Sequence, residues 1–363
     1  MMRPAPRRHD AGFTVVELLI STAIMMIVTG AIFTVLTPSQ RSSQAQPETA
    51  DMQQRMRVGA ETLFKELVMA GAGPYQGSTT GSLVNFFAPI LPRRLGRVDA
   101  DPVNTARTDA ITLIYIPNSY SQTTISHPMP VVAEEVKVLH QSNCPTAKQL
   151  CGFEVGMDII IFDSTGNFDT FSLTEVQESA GHLQHRQQNL NHLYQPGAQV
   201  TEIVSNTYYL DRATNQLMRY NALFEDIAIV DDVVDLRIDY FGDPNPPLLP
   251  KPPLGVANCL YDTLGAYIGP AALTPTDGSL VALTSDDFTD GPFCGSGPNV
   301  FDADLLRIRK LRVTLRMQAA APGLRGADTT LFVNPGTARE ADRTLPDYVL
   351  TFEVSPRNLN LAR

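Results

Sequence analysis

One carboxylate, that of Glu17, lies inside a segment that is otherwise apolar. Residues 13–36 make 24 positions, and Glu17 is the only charged residue among them. An ionisable group in an apolar setting is costly, so it is usually paired with a group of opposite charge. The residue type and its position therefore predict that Glu17 pairs with a positive group.

The segment around Glu17 is long enough to span a membrane. As a helix it would be ~36 Å long, which exceeds the ~30 Å hydrocarbon core of a bilayer. Arg3, Arg7 and Arg8 precede it and no basic cluster follows at once, which predicts a cytoplasmic amino terminus and an exported remainder. A secretory signal peptide has a shorter apolar region, followed by a small-residue cleavage site. A plain membrane anchor remains an alternative, but it gives no reason for Glu17 or for Gly12 beside Phe13.

The sequence Gly12-Phe13-Thr14-x-x-Glu17-Leu18, placed between a basic leader and an apolar run, resembles the prepilin signal of type IV pilins and type II secretion pseudopilins. The resemblance implies cleavage between Gly12 and Phe13 by a membrane prepilin peptidase. It also implies N-methylation of Phe13 by the same enzyme. Glu17 would then be the fifth residue of the processed chain and would pair with the amino terminus of a neighbouring subunit.

Three later segments resemble the PilW-type minor pilins, namely residues 233–240, 308–315 and 355–360. Two features differ from a major pilin: Pro38 is present but no proline at position 34, and the head is larger. The resemblance therefore implies a low-copy minor pilin that initiates or caps a type IV pilus. The alternatives are a large minor pseudopilin of type II secretion and a tip adhesin or DNA-binding minor pilin.

The sequence predicts an α+β fold in which a long amino-terminal helix packs on a large, loop-rich antiparallel β head. We expect a leader (1–12), a membrane-spanning and assembly helix (13–36), an amphipathic continuation (37–73) and an exported head (74–363). The head carries a Pro/Gly-rich insertion (242–299), which we expect to be an exposed loop. A break is predicted at Pro38, because proline interrupts the helical hydrogen-bond ladder. Apolar residues at three- and four-residue steps then predict a core-facing stripe: Met52, Met56, Ala60, Leu63, Leu67 and Ala70.

Alternation and turn signals predict antiparallel strands in the head. Residues 156–162 and 168–173 should form one hairpin, and residues 208–210 and 217–220 another. A strand is also expected at 110–116. Three alternating segments predict strands with one buried face: 234–240, 311–317 and 348–354.

Composition limits the classes of partner and the redox setting. Without residues 1–12 the chain has 25 basic and 37 acidic residues, a net charge of −12, so no nucleic acid partner is expected. The chain has four cysteines and is expected to be exported, which favours disulfides over a zinc site. Three connectivities are open, of which the local pairs Cys144–Cys151 and Cys259–Cys294 are preferred.

No sequence motif for an enzyme occurs, and we expect a structural protein without a cofactor. Two Asp-rich turns have the oxygen density of a calcium site, so calcium is the alternative, although neither matches the twelve-residue calcium loop. Their residues are Asp163, Asn167, Asp169, Asp286, Asp287 and Asp290. His182, His185 and His192 are a weaker candidate for metal ligation. A basic strand at residues 307–316 suggests either DNA contact or, preferably, pairing with acidic strands that contain Asp235 and Asp239.

These expectations define a cellular setting. The protein should insert in the bacterial inner membrane as a single-pass subunit with a periplasmic head, and then reach the pilus and cell surface. Its expected partners are other minor and major pilins through the amino-terminal helix, the prepilin peptidase and the inner-membrane assembly platform.

Overall fold

The computed structural model describes residues 13–74, 81–95, 101–142, 144, 148–186, 189–221, 225–275, 278–339 and 344–361, without the side chains of 35–44. The chain forms two compact units. One comprises Met1–Met52 and Ala319–Pro346, and the other comprises Gln53–Gln318 and Asp347–Arg363. A long amino-terminal helix and a larger antiparallel β region confirm the α+β class.

The amino-terminal helix, α1, runs without interruption from Val15 to Met69, over 55 residues. The predicted break at Pro38 is therefore wrong. Proline removes one backbone donor, but its fixed φ is helical, so a long helix can continue past it. The predicted stop was close: α1 ends two residues before Gly71, whose φ of +76° is easily reached by glycine.

Eighteen strands occur in the described residues, and nearly all are short. In chain order they are β1 (Ile90–Leu91), β2 (Ala110–Tyr115), β3 (Gln122–Thr124), β4 (Glu135–Lys137), β5 (Asp158–Phe162), β6 (Phe168–Ser172), β7 (Glu175–Gln177), β8 (His182–Gln184), β9 (Gln199–Glu202), β10 (Val204–Asp211), β11 (Gln216–Tyr220), β12 (Asp226–Asp231), β13 (Val233–Gly242), β14 (Val281–Leu283), β15 (Phe293–Cys294), β16 (Phe301–Asp302), β17 (Ile308–Met317) and β18 (Tyr348–Val354).

The larger unit is built around two antiparallel sheets and the carboxyl-terminal part of α1. One sheet has the strand order β1-β2-β10-β11-β12, and the other has the order β14-β13-β17-β18. Met56, Leu63 and Leu67 of the predicted stripe are each at most 2% exposed. Phe64 meets Phe352 of β18, with ring centroids 6.3 Å apart. The stripe is therefore core packing, as the periodicity predicted.

Each predicted strand of the head is present, and both predicted hairpins are confirmed. β5 pairs with β6, and β10 pairs with β11. β17 pairs with β13 on one side and with β18 on the other, which places the three alternating segments in one sheet.

A second apolar core, which the sequence did not indicate, lies between β2 and β10 along the chain. It joins the sheets β3-β9-β5-β6 and β4-β8-β7. Its buried side chains include Ile159, Ile161, Phe171, Leu183 and Val200. β2 and β10 pair with each other in the first sheet. The residues between them in the sequence therefore form an additional β layer of the head.

The insertion at 242–299 is less exposed than predicted. Its segment β14 pairs with β13 and extends the central sheet, while Leu260 is fully buried. The buried guanidinium of Arg307 donates to the backbone carbonyls of Pro244 and Asn245, at 2.9 and 2.8 Å, and also to that of Ala271. An Arg with five donors can satisfy several carbonyls at once. A proline-rich segment with few internal hydrogen bonds is thus fixed to the head.

Candidate processing and assembly site

Glu17 is held by Thr14 at the first turn of α1. The backbone N–H and the hydroxyl of Thr14 both donate to Glu17 Oε2, at 2.9 and 2.8 Å. In return the backbone N–H of Glu17 donates to Thr14 Oγ1 at 3.2 Å. This reciprocal arrangement is a capping box, which satisfies donors that the first turn of a helix leaves free. The carboxylate therefore stabilises the start of the helix within its own chain.

Three other hydroxyl side chains of this apolar stretch donate hydrogen bonds to the helix backbone. Ser21 Oγ donates to the carbonyl of Glu17 at 2.7 Å, and Thr22 Oγ1 donates to that of Leu18 at 2.9 Å. Thr34 Oγ1 donates to the carbonyl of Ala31 in the same way. Hydroxyls bonded to the preceding turn can enter an apolar environment at low cost. Glu17 is thus the one charged side chain of this stretch.

The first part of α1 presents apolar side chains all around. Residues Val15–Thr34 form one helix that is long and apolar enough to cross a membrane, and none of it is buried within the protein. Phe13, which precedes the helix, is 85% exposed, and Met25 and Met26 are 70% and 75% exposed. A surface of this kind needs either lipid or the helices of other subunits around it. Gly12 lies outside the described residues.

The comparison with known families bears directly on this segment. Residues 7–33 match the family model of the prokaryotic N-terminal methylation motif. The match supports a type IV pilin-like prepilin, that is, a membrane-anchored precursor of the pilin or pseudopilin type. Such a motif indicates a structural protein that interacts with other filament components and with the prepilin peptidase. No curated protein and no solved structure matches the chain.

The structure pairs the cysteines locally. Cys144 is bonded to Cys151, and Cys259 is bonded to Cys294. The second bond closes the longer loop, with a sequence separation of 35 against 7. It links two parts of the insertion, because Cys259 and the β15 residue Cys294 both lie within residues 242–299.

The first group of candidate calcium ligands is divided between two environments. Asp163 accepts hydrogen bonds from the backbone and hydroxyl of Thr165 at the β5–β6 turn. Asp169 is only 2% exposed and accepts from Asn191 Nδ2 and Tyr194 Oη, at 2.6 and 3.0 Å. Burial raises the pKa of Asp169, and these hydrogen bonds oppose the shift by favouring its charged form. Both carboxylate oxygens of Asp169 thus accept hydrogen bonds from groups of the protein.

The second group of candidates is also divided, because Asp290 and Asp287 have different neighbours. Asp290 comes together with Asp302 and Asp304, whereas Asp287 accepts from Thr284. Asp304 is paired with Arg307, and Asp302 accepts from the N–H of Gly291 at 2.7 Å. Burial raises the pKa of Asp304 to about 6. The acidic cluster therefore contacts Arg307, the residue that binds the backbone carbonyls of the insertion.

Three basic side chains of β17 are ion-paired, but with other acids than expected. Lys310 and Arg312 both bind Glu353 of β18, and Arg316 binds Asp347. Asp239 is engaged by Arg237 of its own strand, at 2.9 Å. Basic side chains of β17 are thus ion-paired with acidic residues from other parts of the head on this face.

The three histidines lie in different surroundings. His182 contacts Glu135 at 3.3 Å, and the ring of His185 packs on Phe171 at 4.5 Å. His192 faces Asn167, with 3.3 Å between its Nε2 and the amide nitrogen. Within the described residues they therefore form no common metal site.

Two functional features were missed by reasoning from the sequence. The capping box was visible as Thr14-x-x-Glu17 before an apolar run, which is a known signature of a helix start. The role of Arg307 carried no signal, because its carbonyl partners come from loops far away in the sequence.

Proposed function

We propose that this protein is a minor pilin that inserts in the inner membrane, is processed between Gly12 and Phe13, and helps initiate or cap a type IV pilus. The observation that carries the proposal is the single charge of the apolar helix, Glu17. It would become the fifth residue of a processed chain whose following helix, Val15–Thr34, is exposed on all sides.

The capping box suggests how Glu17 serves two states of the subunit. In the membrane-inserted subunit, the N–H and hydroxyl of Thr14 supply two hydrogen bonds to the carboxylate. These bonds lower the cost of an ionised group near lipid. In the filament, the methylated amino terminus of a neighbouring subunit would add the opposite charge.

The pairing of Glu17 with a neighbour's amino terminus would also fix the axial position of one subunit helix against the next. Apolar helices gain little from the hydrophobic effect when they leave lipid for one another, so a plain apolar surface specifies no axial position. One ion pair at a fixed place in the helix specifies where the neighbouring subunit docks. Other pilins would be the partners in this contact, and the assembly platform would supply the subunits.

The head supports a low-copy position. Its additional β layer and its insertion held by Cys259–Cys294 and Arg307 make it bulky beyond the needs of a repeated shaft subunit. A bulky head is accommodated most easily at the end of a filament. We therefore assign the protein to initiation or to the tip.

The experiment is a gene deletion with complementation, scored by electron microscopy of pili and by secretion of an exoprotein. Loss of pili with normal secretion, together with a few copies per filament by quantitative mass spectrometry, is the expected result. Lost secretion with normal piliation would assign the protein to the pseudopilins instead. Unchanged piliation and secretion would refute an assembly role.

A further inference from the structure

A cleft of about 680 Å³ brings together four separate sequence regions. Its walls are the β5–β6 turn, the segment 192–199 before and at the start of β9, the segment 253–257 of the insertion, and Phe86. Its volume lies within the usual range of small-molecule sites. The lining side chains used below are Phe86, Phe162, Asp163, Asn167, Gln195 and Gln199.

The cleft combines an aromatic wall with planar polar groups. Phe86 lies edge to face with the buried Phe162, with ring centroids 4.9 Å apart, so its orientation is fixed by packing. Gln195 is exposed and Gln199 is half-buried, and both line the same space. Amide side chains can donate and accept, and an aromatic ring offers an apolar face.

The polar groups at the turn are ordered before any ligand arrives. Asn167, which is 9% exposed, donates to Thr165 Oγ1 at 2.6 Å, and Thr165 in turn donates to Asp163. Asn167 Nδ2 also lies 3.3 Å from His192 Nε2, so His192 belongs to the same network. Preorganised groups of this kind lose little conformational entropy on binding.

Charge restricts the class of ligand. Among the described residues that line the cleft there is no lysine or arginine, and Asp163 is the one carboxylate. An anionic ligand would find no positive charge to neutralise it. A neutral ligand with hydroxyl groups and one apolar face matches both the amides and the ring.

We propose that this cleft binds a neutral saccharide of about two rings, with one sugar face on Phe86 and the hydroxyls on Asp163, Gln195 and Gln199. Disulfide Cys259–Cys294 positions the third wall, because Cys294 and Pro250 both lie against Gly166 of the β5–β6 turn. The inference does not rest on the assembly role, since binding concerns the head alone.

The test is saturation-transfer NMR and calorimetry with the full chain in a detergent that has no sugar headgroup. The probes are N,N′-diacetylchitobiose, lactose and maltotriose, with sialyllactose as the anionic comparison. Chitobiose binding would assign the site to amino-sugar strands, and lactose or maltotriose binding would assign it to unmodified hexoses. Either outcome supports the proposal, whereas failure of all three, or equal binding of sialyllactose, overturns it.

Variants locate the binding. Gln195→Ala and Asp163→Asn should each weaken binding about tenfold, which is the size expected when one hydrogen bond to the ligand is lost or weakened. Gln54→Ala, an exposed glutamine of α1, is the matched control and should leave the affinity unchanged. Thermal unfolding checks that each variant is folded. Unaltered affinity in both cleft variants would place the binding elsewhere and refute the assignment.

Discussion

Replacing Glu17 by glutamine separates its two roles. Glutamine can accept from the N–H and hydroxyl of Thr14 as glutamate does, so Glu17→Gln keeps the capping box and removes only the charge. Thr14→Val does the reverse, because it removes the hydroxyl from the cap and leaves the carboxylate charged. Glu17→Ala removes both.

The expected magnitudes differ enough to be distinguished. Loss of a helix cap costs about 1 kcal/mol, a factor of about five in an equilibrium. In the proposed filament contact, Glu17→Gln would leave a neighbour's positive amino terminus without its counter-charge, and breaking a buried ion pair generally costs about 3–5 kcal/mol. Glu17→Gln should therefore reduce incorporation into filaments by about a hundredfold or more, and Thr14→Val by less than tenfold.

The assay is the amount of each variant in sheared filaments relative to the amount in the membrane fraction. Mass spectrometry of the amino terminus controls for cleavage and methylation, which all three variants should retain. Normal incorporation of Glu17→Gln would refute the charge-pairing argument and would leave helix capping as the role of this carboxylate. Equal defects in Glu17→Gln and Thr14→Val would also contradict it.

Three further predictions concern processing and the head. Gly12→Glu should block cleavage, so the intact mass would retain the leader of 12 residues; a cleaved product in this variant would disprove the assigned cleavage site. Cys259→Ser with Cys294→Ser should lower the free energy of unfolding by about 4 kcal/mol, and Cys144→Ser with Cys151→Ser by about 2.5 kcal/mol, because the longer loop loses more entropy when it is closed. Thermal or urea unfolding under oxidising conditions tests this order, and a reversed order would contradict it. Arg307→Leu should destabilise the head by about 3–5 kcal/mol, since it leaves Asp304 and several carbonyls without their donor; Arg357→Leu is a surface control, and equal unfolding midpoints of the two variants would refute the anchoring role.

The apolar helix and the position of its single charge, Glu17, could be predicted from the sequence. Thr14 and Glu17 are three residues apart, and their hydrogen bonds follow from one helix start, so local spacing contains the information. The hairpins β5–β6 and β10–β11 were predictable for the same reason. Pro38 shows the limit of local reasoning, since proline disfavours a helix interior but its φ permits the helix to continue.

What the sequence by itself determined is the apolar helix with its one charge, the class of fold and the segments that alternate as strands. These depend on periodicity and on contacts within a few residues. The tertiary structure alone decided the second core between β2 and β10, the ion pairs of the basic strand with Glu353 and Asp347, and the burial of Arg307 among carbonyls of the insertion. It also decided the cleft that joins Phe86, Asn167 and the segment 253–257. Such contacts depend on long-range strand pairing, and no local pattern of residue types records which distant partner a charge or a loop will meet.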